Sequence, residues 1–120
     1  MKTQSLVPMA SVADVERSIA FYNHLGFEVG NMFAAGGETK PSWAWLHSGN
    51  AQLMLSATNE PIAGKHTVLF YVYTEDVTAA RMSLIEAGLN PGEITTPFYA
   101  PRGEFELIDP DGYVIMVTHT

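Results

Sequence analysis

Two segments of the chain carry apolar residues at helical spacing, each between an aspartate and a glycine. Asp14 and Asp76 are predicted to cap the first turns, because their carboxylates can accept hydrogen bonds from exposed backbone N–H groups. Gly26 and Gly88 stand where left-handed C-terminal caps are needed. The aspartates are 62 residues apart, and so are the glycines. In the first helix one face is predicted to carry Val15, Ser18, Ile19 and Tyr22. In the second, the predicted apolar stripe is Val77, Ala80 and Leu84.

Strand patterns repeat with nearly the same spacing. One strand precedes each predicted helix, a short extended segment follows it, and a hairpin closes each half of the chain. Glycine with Asn or Asp is typical of hairpin turns, and both hairpins have such residues. The predicted strands are 5–12, 27–33, 43–47 and 51–57 in the first half, and 66–73, 90–95, 104–108 and 113–118 in the second. The chain is therefore predicted to be two βαβββ modules, residues 1–60 and 65–120, with a joint at 58–65.

Each module is too short to bury a core alone, so the two are expected to pack side by side as one α+β domain. Alternate residues of a strand point to opposite faces of its sheet. In 66–73, Val68, Phe70 and Val72 suit the side covered by helices, which leaves Tyr71 and Tyr73 on the other. Two tyrosines there indicate either a lined concavity or an ordinary amphipathic surface.

The amino-acid composition excludes several classes of function. The 120 residues are 47% hydrophobic and 16% charged, which is too apolar for a disordered chain. The absence of cysteine excludes disulfide scaffolds, thiolate zinc sites and cysteine nucleophiles. No apolar run approaches a membrane span and no secretion signal is evident, so a cytoplasmic protein is expected. A net charge of −7 makes nucleic acid and anionic membranes poor partners.

Two stretches resemble the vicinal-oxygen-chelate superfamily, which includes glyoxalase I, fosfomycin-resistance enzymes, extradiol dioxygenases and bleomycin-resistance proteins. The stretch 12–29, VADVERSIAFYNHLGFEV, is similar to the family's opening, and 109–116, DPDGYVIM, to its final hairpin. The resemblance implies tandem βαβββ modules that form a curved, eight-stranded mixed-sheet cup with helices on the outer face. One fold of this kind hosts many activities, so the resemblance does not assign one.

Metal-dependent members of the family place His, Glu or Gln at four positions facing the cup. The residues matching those positions here are Val7, Met54, Thr67 and Met116. Divalent metals need hard oxygen or imidazole donors, which these side chains do not supply. We therefore expect no metal and no other cofactor. A shift of one residue would place His66 at the third position, but it would also turn Tyr71 and Tyr73 toward the helices.

Acidic and aromatic residues are the candidate ligand-binding groups. Alternation places Glu104 and Glu106 on one face of their strand, where they either enter the cup or lie at a solvated rim. Two carboxylates among apolar side chains repel each other unless a cation neutralises them. Trp43 and Trp45 either belong to the core or line the cup; a tryptophan matching Trp43 lines the drug cleft of bleomycin-resistance proteins. The predicted ligand-binding set is Trp43, Trp45, Met54, Tyr71, Glu104, Glu106 and Met116.

The loop 96–102 adds two alternatives. Phe98 and Tyr99 suit either a lid or ordinary loop anchors, while Arg102 is placed to pair with a glutamate, which would weaken a cation site. The leading hypothesis is a metal-independent, homodimeric protein that sequesters a small cationic or aromatic molecule, as drug-resistance relatives do. The rival is a glyoxalase-like lyase or isomerase, with a misaligned metal site or with Glu106 as general base.

Overall fold

The computed structural model describes residues 1–62 and 66–120, and it divides into two compact units, Met1–Ile62 and Ala63–Thr120. Ala63, Gly64 and Lys65, where the predicted joint ends and the second module begins, lie outside the described residues. Both units contain one helix lying on one face of a mixed sheet.

The first unit is a complete βαβββ module. In its sheet the strand order is β1-β4-β3-β2, in which β1 runs parallel to β4 and the other pairs are antiparallel. Its elements are β1 (Met9–Val12), α1 (Val15–Asn23), β2 (Glu28–Phe33), β3 (Trp43–Ser48) and β4 (Ala51–Ala57).

The second unit repeats this plan with one strand fewer. Its strand order is β5-β7-β6, with β5 parallel to β7 and β6 antiparallel to β7. Its elements are β5 (Leu69–Thr74), α2 (Val77–Glu86), β6 (Glu104–Ile108) and β7 (Val114–His119). The predicted α+β class and the tandem arrangement are thus confirmed.

The strand predicted at 90–95 is present only as a bridge. Thr95 pairs with Glu104, and the Gly92 N–H donates to the Glu106 carbonyl at 2.8 Å. Pro91 has no N–H to donate, and a glycine weakens a strand, so the segment makes isolated contacts instead of a continuous ladder. The described residues accordingly form seven strands in sheets of four and three, where eight strands in one sheet were expected.

The predicted helix ends are confirmed. Asp14 and Asp76 each accept a hydrogen bond from the backbone N–H three residues on, at 3.1 and 2.9 Å. Gly26 and Gly88 adopt φ angles of 90° and 86°, in the left-handed region that favours glycine. Strand starts were less well predicted, since β1 and β5 begin at Met9 and Leu69, later than the apolar patterns indicated.

One face of each sheet packs against its own helix. The core of the first unit includes Ala44, Leu46, Leu53 and Leu55, which alternate along the hairpin β3–β4. In the second unit the alternating residues of β6 and β7 are buried in the same way; they are Phe105, Leu107, Ile115 and Val117. The residues between them lie on the other side, which we call the open face of each sheet.

Candidate functional site

The register of the first sheet places both tryptophans on its open face. Ala44 and Leu46 are buried on the helix side of β3, so Trp43 and Trp45 point the other way, and both are half-buried. Trp45 stands opposite Met54 of β4, and Met54 stands opposite Met9 of β1. The tryptophans are therefore outside the helix-side core.

The indole of Trp45 is held in one orientation. Its Nε1–H donates to Oε1 of Gln52 at 3.0 Å, and its ring stacks on the His47 imidazole at a centroid distance of 5.2 Å. The six-membered ring lies so close to Gly30 that a Cβ there would overlap it. Gly30 occupies the bulge between Val29 and Asn31, where it leaves room for the ring. The result is a rigid aromatic platform.

A cavity of about 340 Å³ lies beside this platform. Its walls combine the Trp45 and His47 rings with side-chain amides and a hydroxyl, which can donate and accept hydrogen bonds. The remaining lining residues are Gln4, Ser5, Gly49, Asn50 and Gln52.

The open face of the second sheet brings four of the predicted residues together. Tyr71, Met116 and Glu106 stand side by side in one cross-strand row. The neighbouring row is Tyr73, Thr118 and Glu104. Tyr71 is 45% exposed and Glu106 is exposed, whereas Met116 is half-buried. The face is aromatic and acidic, as the alternation indicated.

Glu104 differs sharply from Glu106, although both share this face. Glu104 is only 3% exposed. Its Oε1 accepts a hydrogen bond from the Tyr99 hydroxyl at 3.1 Å, while its buried Oε2 has no hydrogen-bond partner. The hydrogen bond to Glu104, reinforced by its negative charge, raises the pKa of Tyr99 above the ordinary value of 10.0, because both favour the neutral phenol.

Arg102 and His66, which the sequence analysis considered as a glutamate partner and as a metal ligand, lie elsewhere. The Arg102 guanidinium donates to the Thr120 carbonyl and lies 2.9 Å from Nδ1 of His119, so it does not pair with either glutamate. His66 stacks on Tyr113 at 3.8 Å, and its Nε2 lies 3.1 Å from the Asp111 carbonyl oxygen. His66 therefore packs against the turn that precedes β7.

The residues at the family's metal-ligand positions do not fit a divalent cation. Met54 and Met116 lie on the open faces of their sheets, but a thioether is a poor ligand for Mg, Mn, Fe or Zn. Val7 has no donor atom in its side chain, and Thr67 offers a single hydroxyl. Within residues 1–62 and 66–120, no three His, Asp or Glu side chains are grouped so that they could hold a metal ion.

Some lining residues were missed from the sequence. The platform around Trp45 includes His47, Gln52 and Gly30, none of which was in the predicted set. His47 was predictable, because it follows Trp43 and Trp45 at every second position of β3 and therefore shares their face of the sheet. The contact between Tyr99 and Glu104 depends on the turn at Gly103, whose φ of 98° returns the chain from the loop into β6, and no periodic pattern marks it.

Solved structures with the same fold include several antibiotic-binding proteins. A bleomycin resistance determinant encoded on the transposon Tn5 superposes with a TM-score of 0.76 at 19% identity, covering 98% of each chain. A bleomycin-binding protein from Streptomyces verticillus, complexed with copper(II)-bleomycin, gives 0.73 at 20% identity, covering 100% of this chain and 98% of that one. TnmS3, an antibiotic binding protein from Streptomyces sp. CB03234, gives 0.70 at 21%, covering 99% and 98%.

No curated protein sequence gives a significant match to this chain. Among the described residues, no helix combines the length and the apolar character needed to cross a membrane. The model of the Glyoxalase/Bleomycin resistance protein/Dioxygenase superfamily matches residues 6–117, nearly the whole chain. This match, together with the tandem modules and the motifs that suggested the resemblance, establishes that the chain belongs to that superfamily.

Proposed function

We propose that this protein binds and sequesters a small cationic or aromatic molecule, without a divalent metal and without chemically changing it. The observation that carries the proposal is the fixed indole of Trp45 on an open sheet face, with Trp43 on the same face. A tryptophan held there by Gln52 and Gly30 presents a stacking surface that the helix-side core does not use. Flat heterocycles and cations are both attracted to such a ring.

The overall charge and the relatives support the same role. A net charge of −7 favours cations near the surface. Bleomycin resistance and antibiotic binding are the roles named for structures that share this fold at about 20% identity. The poor donors at Val7, Met54, Thr67 and Met116 support binding without a metal. We further propose that the protein is a homodimer and that it is cytoplasmic.

A lyase or isomerase activity is the alternative, and one observation favours it. Glu106 is exposed on the open face beside Met116, where its carboxylate is accessible to a substrate as a general base. Product analysis after prolonged incubation with any bound compound separates the two roles. Unchanged compound supports sequestration, while catalytic turnover with loss of rate in Glu106→Gln supports the enzyme.

Tryptophan fluorescence tests the binding proposal. The probes are 1-methylquinolinium, a planar cation, and quinoline at alkaline pH, its neutral counterpart. We expect saturable quenching by both, with the cation bound about two- to thirty-fold more tightly through cation–π attraction. Trp45→Phe should weaken both complexes, while a chelator should have no effect. The control variant Glu75→Gln removes one exposed charge of the second unit. Non-saturable quenching equal to that of the unfolded chain would contradict the proposal.

A further inference from the structure

The unpartnered oxygen of Glu104 indicates what kind of cation the second unit can bind. A buried carboxylate oxygen loses its hydration, and without a hydrogen-bond partner nothing replaces that interaction. Oε2 of Glu104 is in this state, whereas Oε1 is satisfied by Tyr99. Because Glu104 lies on the open face in one row with Thr118 and Tyr73, the oxygen belongs to the side of the sheet that the helix leaves uncovered.

The arginines of the second unit are engaged elsewhere. Arg81 donates from Nε to the Gly92 carbonyl at 2.8 Å and lies 3.5 Å from the Glu93 carboxylate. Arg102 bonds to Thr120, near His119. Neither guanidinium reaches Glu104, and Oε2 has no hydrogen-bond partner among the described residues.

The tyrosine side chains near Glu104 favour a flat cation as its partner. Tyr99 donates directly to Glu104. Tyr71 and Tyr73 lie exposed on the same open face, with their ring centroids 6.4 Å apart. Tyrosine rings attract cations to their faces, and a planar guanidinium stacks on them while its N–H groups donate in the plane. A carboxylate that accepts from one phenol and shares its sheet face with two others therefore suits a group that is positive, planar and rich in N–H donors.

We propose that Glu104 anchors the ligand through an N–H-bearing cation, a guanidinium or a protonated amine, and discriminates against cations that have no N–H. This inference rests on the proposed binding function and specifies the charged group of the ligand. A quaternary ammonium brings charge but cannot donate a hydrogen bond to Oε2, so binding it leaves the buried oxygen unpartnered.

Two probes of equal charge test the requirement for a donor. Benzylguanidinium has N–H groups, and benzyltrimethylammonium has none. Titrations followed by ¹⁵N–¹H NMR report on the backbone amides of Glu104 and Thr118. We expect benzylguanidinium to shift these amides and to bind about tenfold or more tightly than benzyltrimethylammonium, since hydrogen bonds to charged groups are the strong ones.

Three variants separate anchoring from a structural role. Glu104→Gln should abolish the preference for benzylguanidinium while the protein stays folded, because an amide still accepts from Tyr99. Tyr99→Phe should retain the preference, since Oε1 then also becomes available to the probe. Glu75→Gln removes an exposed carboxylate of the same unit and serves as the control for overall charge. Loss of the preference in Glu75→Gln as well would contradict anchoring by Glu104.

The outcomes distinguish this inference from the proposed function. Equal affinity for the two benzyl cations would overturn the donor requirement while leaving a ligand-binding protein. No amide shift at Glu104 or Thr118, together with saturable quenching by 1-methylquinolinium, would overturn Glu104 as an anchor only. Failure of both the benzyl probes and the quinoline probes to bind would overturn both proposals.

Discussion

At the scale of single residues, the absence of a side chain on a glycine allows an aromatic ring of the neighbouring strand to lie where it does. Gly30 has no Cβ, and the ring of Trp45 occupies the space that a Cβ would need. The contact is to the rigid six-membered part of the indole, which cannot move aside as the end of a flexible chain would. The position of the platform in the first unit therefore depends on a residue of the neighbouring strand.

Gly30→Ala tests this dependence. The added methyl group should displace the Trp45 ring, weaken its hydrogen bond to Gln52 and lower the free energy of unfolding by about 1–3 kcal/mol, the usual cost of overpacking. Chemical denaturation measures the loss, and a changed tryptophan emission spectrum of the folded protein reports the displaced ring. Gly36→Ala is the matched control, because nothing lies within 4 Å of a Cβ there. Equal stability of both variants would show that the ring adapts.

For Glu104 and Glu106, strand alternation predicted the face of the sheet correctly but not the depth of burial. Alternation along β6 predicted that both would share a face, and they do. It did not predict that Glu104 would be buried and Glu106 exposed, because depth depends on the loop that brings Tyr99 over Glu104. Such loop contacts follow from turn geometry at Gly103 and have no periodic signal.

At the scale of elements, the two helices depend on their caps. They have only 9 and 10 residues, too few for an isolated helix to be stable in water. Each begins with an aspartate that binds a backbone N–H of the first turn. Capping signals of this kind are local in sequence, which is why both helix starts were predictable.

Asp14→Ala and Asp76→Ala should each lower the free energy of unfolding by about 1 kcal/mol, within a range of roughly 0.5–2 kcal/mol. The physical reason is the loss of one acceptor for an otherwise unpaired N–H. Urea denaturation should show a lower midpoint with an unchanged slope. Asn in place of either aspartate keeps an acceptor oxygen and should restore most of the stability. No recovery with Asn would indicate that charge, not capping, is responsible.

Strand predictions were accurate where turns bound the strand and poor where they did not. The hairpin strands β4 and β6 have the predicted bounds, since Gly, Asn and Asp mark the turns beside them. The segment 90–95 contains Pro91 and Gly92, which are both depleted in strands, and it forms only a bridge. The strand was predicted from its place in the repeat, and the low strand propensity of these two residues was the better signal.

At the scale of the whole molecule, apolar side chains remain exposed on an edge strand. β2 is an edge of its sheet, and all six of its residues are exposed. Phe33 is 60% exposed and Met32 is 50% exposed. Exposed edges with apolar residues are usually covered or paired, and a twofold homodimer is the commonest way to do so. A second copy of this chain is the cover that we predict.

Light scattering coupled to size exclusion should therefore give about twice the chain mass of 13.1 kDa at micromolar concentration. A stable interface of this kind buries roughly 2,000 Å² or more. Met32→Glu should shift the mass toward the monomer by placing a charge on the edge strand. Met82→Glu, on the exposed side of α2, is the matched control and should not. A wild-type mass near 13.1 kDa that does not change on concentration would refute the dimer.

The parallel pairing of the first and last strands in each unit has a kinetic consequence. Met9 of β1 pairs with Met54 of β4, and Leu69 of β5 pairs with Val114 of β7, so the partners are far apart in the chain. A hairpin such as β3–β4 closes in about 1–10 μs, whereas distant strands must first lose the entropy of a long loop. We therefore expect the leading strand of each unit to dock onto a hairpin that has already formed. Because both units have the same pairing plan, we expect the same order of assembly in each, with the hairpin first and the leading strand last.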